Sequence, residues 1–279
     1  FSLRSINKIR DITRLEHHHA LLDERNRTLL ARLPLAITEN EFELHYQPLI
    51  DPTTKSIHSV ECLIRWPQTD GSAVATSDFI HLAEQSHVIV DITRWVISTS
   101  LKQLGLWHAN GHKLALQINI STRDLNELDL VSYISKHLHS NKIKPSDLTL
   151  EITENQVINH QTECFKILQQ LRHLGVGISL DDFGTGYSSM TWLNQLPLTQ
   201  IKIDRSFVIG MEHNKKHMAI VQSTLDLGIK MGLEVIAEGV ENAQQAQLLK
   251  QMNCALLQGY YLAKPMPAEK LDQWLNQAR

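Results

Sequence analysis

Residues 178–189 read ISLDDFGTGYSS, an apolar run that leads into two adjacent aspartates and a segment with two glycines. The apolar run has the length and composition of a buried strand. The neighbouring carboxylates of Asp181 and Asp182 repel each other at the end of such a strand, where burial further disfavours their charge. A bound cation would stabilise both carboxylates, so the segment predicts a strand that ends at a metal site.

The composition of the whole chain is that of a globular protein without an unusual partner. The chain has 279 residues, and its 27 basic and 30 acidic side chains leave a formal charge of −3. This length suits one large α/β barrel or two smaller domains. The charge predicts no surface for duplex nucleic acid, and no apolar run is long enough to predict a membrane contact. The three scattered cysteines indicate free thiols in a reducing, cytoplasmic compartment.

Short β-rich runs alternate with helix-length amphipathic segments from about residue 42 onwards. Eight strands with helical crossovers predict a (β/α)₈ barrel of the TIM type, for which about 240 residues is a usual length. The first two runs are too close for a helical crossover, so this pair should be antiparallel and the barrel a modified one. The predicted strands are residues 42–49, 56–66, 114–120, 148–153, 176–182, 200–204, 234–238 and 255–259.

The first 36 residues follow a different pattern, which predicts an N-terminal helix before the barrel at 37–279. Apolar residues from Ile12 to Leu33 recur at alternating steps of three and four, with His19 and Asn26 at two of these positions. Two interpretations stay open. The helix either packs on its own domain or forms a parallel coiled coil that carries a signal from an upstream sensor. Because the chain begins with Phe1, we expect it to be part of a longer protein.

Polar residues stand at the carboxyl ends of seven of the eight predicted strands, the rim where barrel enzymes place their chemistry. Each acid alone could be a helix cap or a solvated charge, and Glu154 and Glu241 stand where a helix could begin. Six or more carboxylates on one rim, with one amide and one lysine, instead favour Mg²⁺ or Mn²⁺ held by oxygen ligands. Two such ions about 3.5–4 Å apart are the arrangement that hydrolyses phosphoesters. The rim residues are Glu61, Arg65, Asn119, Glu151, Glu154, Asp181, Asp182, Lys202, Asp204, Glu238, Glu241 and Gln258.

The sequence blocks around these residues resemble the EAL family of cyclic di-GMP phosphodiesterases over roughly residues 37–279. They read YQP at 46–48, ECLIRW at 61–66, NIS at 119–121, EITE at 151–154, DDFGTGYSS at 181–189, IKID at 201–204, EGVE at 238–241 and QGY at 258–260. The resemblance implies metal-dependent hydrolysis of cyclic di-GMP to linear pGpG in bacterial second-messenger signalling. An alternative stays open, in which a degenerate domain binds cyclic di-GMP as a receptor without turnover.

The resemblance also implies a role for each residue of the site, with two Mg²⁺ or Mn²⁺ ions bound. The ligands of one ion would be Glu61, Asn119, Glu151 and Asp181. The ligands of the other would be Asp181, Asp182 and Glu238. The residues that act in catalysis would be Lys202, which orients the attacking water, Glu238 and Glu241. The residues that bind the substrate would be Gln47, Leu63, Arg65, Asp204 and Gln258.

Three further expectations follow from the resemblance. Glu154 would anchor the loop after the paired aspartates, with Gly184 and Gly186 as its hinges. The domain would form a homodimer. Cys62 stands where the family has alanine, and strand alternation turns this side chain towards the helices, so we expect activity to persist. The chain also departs from the family within 68–87, which affects the substrate side of the rim and not the metal ligands.

Overall fold

The computed structural model describes residues 24–154, 161–186 and 193–277. Its centre is a closed barrel of eight strands, and all eight correspond to strands predicted from the sequence. Two short strands, β3 and β10, extend the sheet. The strands are Glu43–Ile50 (β1), Ile57–Pro67 (β2), Ala73–Val74 (β3), Ala115–Asn119 (β4), Leu148–Thr153 (β5), Gly177–Phe183 (β6), Gln200–Ile203 (β7), Glu234–Ala237 (β8), Leu256–Leu257 (β9) and Met266–Pro267 (β10).

The strands follow one another around the barrel in the order β1, β2, β4, β5, β6, β7, β8 and β9, and β9 pairs with β1 to close the ring. Strand β1 runs antiparallel to both of these neighbours, and the other neighbouring pairs from β2 to β9 are parallel. The tight turn between β1 and β2 explains this exception. Asp51 Oδ1 accepts hydrogen bonds from the N–H groups of Thr53 and Thr54, at 2.6 and 3.1 Å. The predicted modified barrel is confirmed.

Helices surround the barrel and cover its outer face. Their positions between the strands follow the predicted alternation. The helices are 24–38 (α1), Thr76–Glu84 (α2), Val88–Ala109 (α3), Leu130–Ser140 (α4), Gln161–Leu174 (α5), Arg205–Val208 (α6), Lys215–Met231 (α7), Ala243–Gln251 (α8) and Ala268–Gln277 (α9). Within the described ranges, none of them is both long and apolar enough to cross a bilayer.

The end of α1 packs on the barrel. Leu33 and Ala36 are fully buried in the main core between strands and helices. The predicted domain boundary at residue 36 therefore falls inside a helix whose last turns contact the barrel. Residues 1–23, which hold most of the predicted heptad pattern, lie outside the described part of the chain.

Candidate active site

Lys202 lies at the centre of the acidic rim, on β7, with its side chain fully buried. Its Nζ is 2.5 Å from Glu238 Oε1, 2.8 Å from Glu151 Oε1, 3.4 Å from Glu61 Oε2 and 3.8 Å from Asp181 Oδ1. Burial alone would lower the pKa of Lys202, but the four carboxylates together raise it well above its usual value. The side chain is therefore a permanent positive charge that holds four acids from four strands together.

Strand alternation explains why these side chains meet. Glu61, Lys202 and Gln258 come from alternate positions around the ring, and Glu61 contacts both of the others across the interior. Gln258 Nε2 donates a hydrogen bond to Glu61 Oε2 at 2.6 Å, and Asn119 Nδ2 donates one to Glu61 Oε1 at 2.8 Å. Gln258 Nε2 also lies 3.1 Å from Gln47 Oε1. The structure thus brings Gln47 of β1 into the same cluster as the carboxylates.

Glu61 and Glu151 are both deeply buried, but their environments differ. Burial would raise the pKa of Glu61, but Lys202 and the donors Gln258 and Asn119 lower it overall. Burial and the charge of Glu61 raise the pKa of Glu151 well above its usual value. Glu151 Oε2 has no hydrogen-bond partner among the described residues. A buried carboxylate oxygen without a donor is stabilised by a proton or by a cation, so this atom is a candidate ligand.

A second acidic group lies beside the first. Asp181, Asp182 and Glu238 each offer one oxygen, and these three oxygens lie within 4.8 Å of one another. Burial raises the pKa of Asp182 to about 6, helped by the charges of Asp181 and Asp204. Burial raises the pKa of Glu238 to about 8, although Lys202 opposes the shift. These are the three residues predicted as ligands of the second ion.

A β-bulge lets two consecutive residues of β6 face the same site. Side chains of a regular strand alternate, so Asp181 and Asp182 would point to opposite faces of the sheet. The register with β7 shifts between Leu180 and Phe183, and Asp182 has a φ of +55° in the left-handed region. Its N–H donates a hydrogen bond to Asp181 Oδ1 at 2.9 Å. The extra residue re-aims the Asp182 carboxylate towards the rim.

Glu154 contacts the start of the loop after the paired aspartates. Glu154 Oε2 accepts hydrogen bonds from the backbone N–H groups of Gly184 at 3.1 Å and Gly186 at 3.4 Å. Gly184 has a φ of +97°, and an added Cβ would lie 3.0 Å from the Phe207 ring. The residues predicted to anchor this loop are therefore in contact, while 187–192 lie outside the described chain.

A pocket of about 250 Å³ opens above the carboxylates. Its lining includes the carboxylates of Glu61, Asp181 and Glu238. It also includes four residues that the sequence predicted for catalysis or substrate binding, namely Gln47, Leu63, Glu241 and Gln258. Four lining residues were not predicted as site residues, namely Gly239, Gly259, Tyr260 and Arg205, which is the one cation among the described lining residues.

Gly239 allows Arg205 to reach this pocket. Gly239 has a φ of +67°, and an added Cβ would lie 2.4 Å from Arg205 Cβ. The position of Arg205 directly after the strand-end residue Asp204 was the sequence signal that could have identified it.

Two predicted substrate residues have other contacts at the edge of the site. Arg65 does not line this pocket in the described chain; its Nη1 donates hydrogen bonds to Ile64 O at 2.9 Å and to Thr76 Oγ1 at 3.4 Å. Asp204 caps α6, where its Oδ1 accepts a hydrogen bond from Ser206 N at 3.0 Å. Asp204 also contributes to the raised pKa of Asp182, so it lies near the rim.

Comparisons with known proteins found matches that cover most of this chain. The family model described as "EAL domain" matches residues 30–265. The chain is 40% identical over 247 residues to the oxygen sensor protein DosP of Escherichia coli (strain K12), covering 88% of this chain and 31% of that protein. It is 37% identical over 244 residues to the bifunctional diguanylate cyclase/cyclic di-GMP phosphodiesterase MucR of Pseudomonas aeruginosa, covering 87% of this chain and 36% of that protein.

One of the similar solved structures is the PaMucR phosphodiesterase in a c-di-GMP complex. Its TM-score is 0.83 at 37% identity, and the match covers 88% of this chain and 99% of that one. The chain spans about a third of the length of the curated relatives named above.

Proposed function

Because the chain belongs to the EAL domain family, we propose that it is a phosphodiesterase that hydrolyses cyclic di-GMP to linear pGpG. The observation that carries the proposal is the buried Lys202 ammonium surrounded by four carboxylates at the carboxyl ends of the strands. Support for the substrate comes from MucR, a relative named as a cyclic di-GMP phosphodiesterase.

The acidic rim fits two divalent cations, Mg²⁺ or Mn²⁺. The available donors are oxygens, which these ions prefer. Glu151 Oε2 has no hydrogen-bond partner in the part of the chain that the structure describes, and one oxygen each of Asp181, Asp182 and Glu238 lies within 4.8 Å of the others. One ion would be held by Glu61, Asn119, Glu151 and Asp181, and the other by Asp181, Asp182 and Glu238. When bound, the ions would supply the positive charge that makes a water nucleophilic and neutralises the phosphoryl oxygens.

The chain's own residues would bind and orient the substrate. Lys202 carries its charge at all relevant pH values and would hold the attacking water by a hydrogen bond from Nζ. Gln47 is held in place because its Nε2 donates to Ala263 O at 3.0 Å and its Oε1 accepts from Gln258. Arg205 would face a phosphate of the dianionic substrate across the pocket, and Arg65 would act at the outer edge beside Thr76.

The remaining proposals concern the full-length protein of which this chain would be a part. Because the chain spans only about a third of these curated relatives, we propose that further domains regulate it in the full protein. In this proposal residues 1–36 connect an upstream sensor to the barrel, the domain dimerises, and it works in the cytoplasm.

The test is to incubate the protein with cyclic di-GMP and Mg²⁺ or Mn²⁺, with and without excess chelator, and to separate the products by chromatography. We expect pGpG to form only without chelator and to form again when metal is restored. Hydrolysis that persists in chelator would refute the two-metal site. Calorimetric binding of cyclic di-GMP without any pGpG would identify a receptor instead.

A further inference from the structure

The interior of the barrel below the acidic rim is half apolar and half polar. Leu49, Ile236 and Leu256 form a separate apolar cluster there. The opposite half carries polar side chains, each at a position two residues before a rim residue on the same strand, so each shares the inward face of that strand. We name this group the polar seam; it consists of Ser59, Gln117, Thr149, Ser179 and Gln200, all buried.

Hydrogen bonds connect part of the polar seam to the far end of the barrel. Gln117 Nε2 donates to Gln200 Oε1 at 3.1 Å, and Gln200 Nε2 donates to Glu234 Oε2 at 2.6 Å. Ser179 pairs directly with Gln200 in the ladder between β6 and β7. Because Gln200 stands two residues before Lys202, this series of hydrogen bonds lies under the centre of the candidate active site.

Three atoms of the polar seam lack partners. Ser59 Oγ, Gln117 Oε1 and Ser179 Oγ are buried, and none of them has a hydrogen-bond partner among the described residues. They come from the neighbouring strands β2 and β4 and from β6, which is separated from β4 by β5. A buried polar atom without a partner destabilises a fold, so three of them on one inward face call for an explanation.

We propose that the polar seam is an internal binding site for a small cluster of water molecules, which bridge Ser59, Gln117 and Ser179. Water suits these atoms because it both donates to an amide oxygen and exchanges hydrogen bonds with hydroxyls, and buried waters typically make about three such bonds. A cation fits less well, since the three oxygens are neutral and the charged Lys202 lies in the layer above. The waters would support the strands that position Lys202, and the proposal does not depend on the reaction.

A high-resolution crystal structure of the unmodified protein tests the proposal directly. We expect ordered water within hydrogen-bond distance of at least two of the three unpartnered atoms. The proposal is overturned when the interior is dry at this level, or when all three atoms bond only to protein groups.

Denaturant unfolding of Ser179→Ala gives an independent test with opposite expectations. If Ser179 binds internal water, alanine leaves that water short of a partner and the denaturant midpoint falls. If its hydroxyl is dry and unpaired, alanine removes a destabilising group and the midpoint stays or rises. Ser100→Ala is the matched control, because Ser100 is equally buried but its Oγ donates to Val96 O of its own helix at 2.6 Å. A midpoint of Ser179→Ala at or above that of the unmodified protein, while Ser100→Ala lowers the midpoint, would overturn the proposal.

Discussion

At the scale of single residues, neighbouring positions on one strand have separate roles because their side chains alternate. Glu61 faces the rim, where it contacts Lys202, Asn119 and Gln258. Cys62 faces the helices, where it is buried in the main core and interacts with Ser100 of α3. Burial raises the pKa of this thiol, so it stays protonated and unreactive. The orientation predicted for Cys62 is confirmed.

This alternation predicts different outcomes for two adjacent substitutions. Glu61→Ala removes a proposed metal ligand and an ion-pair partner of Lys202, and we expect turnover to fall by at least about 100-fold. Cys62→Ala removes one sulfur atom from the core and should leave turnover within about twofold of the unmodified protein, with a small loss of stability. Chromatographic assay of pGpG, with circular dichroism to check folding, measures both. Equal losses in the two variants would contradict the strand orientation.

The raised pKa of Asp182 predicts a pH dependence of stability. An acid with a pKa of about 6 in the folded protein and about 4 when unfolded keeps its proton longer in the folded state. The folded state therefore binds more protons between these values, and stability of the metal-free protein falls as pH rises through this window. Asp182→Asn removes this contribution. In chelator we expect the variant to be more stable than the unmodified protein at pH 7 and equally stable near pH 4.

Urea midpoints of both proteins at the two pH values measure this difference, because titrating groups remote from Asp182 contribute equally to both proteins. The same variant should lose most of its turnover when metal is supplied, because the second ion would lack one charged ligand. An unmodified protein that is the more stable of the two at pH 7 in chelator would show that Asp182 is stabilised by groups other than a cation.

At the scale of elements, the strands of the barrel could be predicted and the bulge could not. A run of five to eleven residues with alternating or continuous apolar positions carries a clear periodicity. Most of the strands from β1 to β8 lie in such a run. Strands of two residues carry almost none: β3 and β10 were missed, and β9, Leu256–Leu257, was predicted only as part of the longer run 255–259. Sequence placed Asp181 and Asp182 together at a strand end, but the left-handed φ of Asp182 that turns both towards the site depends on tertiary contacts.

Two glycines with nearly the same positive φ allow the cost of backbone strain to be measured separately from the cost of a steric contact with α6. Gly232 and Gly239 have φ values of +68° and +67°, but an added Cβ meets nothing within 4 Å at Gly232 and lies 2.4 Å from Arg205 Cβ at Gly239. Gly232→Ala should cost about 1–2 kcal/mol of unfolding free energy from the left-handed conformation alone. Gly239→Ala should cost more and should also displace Arg205 from the pocket.

We therefore expect Gly239→Ala to raise the KM for cyclic di-GMP and to lower turnover, whereas Gly232→Ala leaves both unchanged at a temperature where it is folded. Steady-state kinetics and urea unfolding of the two variants measure these effects. Unchanged kinetics in Gly239→Ala would show that the placement of Arg205 has no part in substrate binding.

At the scale of the whole molecule, α1 links whatever precedes residue 24 to the barrel. Leu33 and Ala36 are buried in the main core, and Leu29, Leu30 and Ile37 pack against it. A sequence cannot easily distinguish such a helix from a coiled coil, because an apolar stripe with a period of 3.6 and a heptad seam with a period of 3.5 differ little over three turns. The matched family region, which begins at residue 30, includes these turns.

The contact between α1 and the barrel predicts unequal effects of two leucine substitutions on one helix. Leu33 is fully buried, whereas Leu35 is 48% exposed. Leu33→Ala should lower the free energy of unfolding by about 2–5 kcal/mol through lost burial and a cavity, whereas Leu35→Ala should change it by at most about 0.5 kcal/mol. Urea unfolding measures both, and the turnover of the folded fraction should stay the same because neither side chain reaches the rim. Equal, small effects would show that α1 is separable from the barrel and free to act as a connecting helix along its whole length.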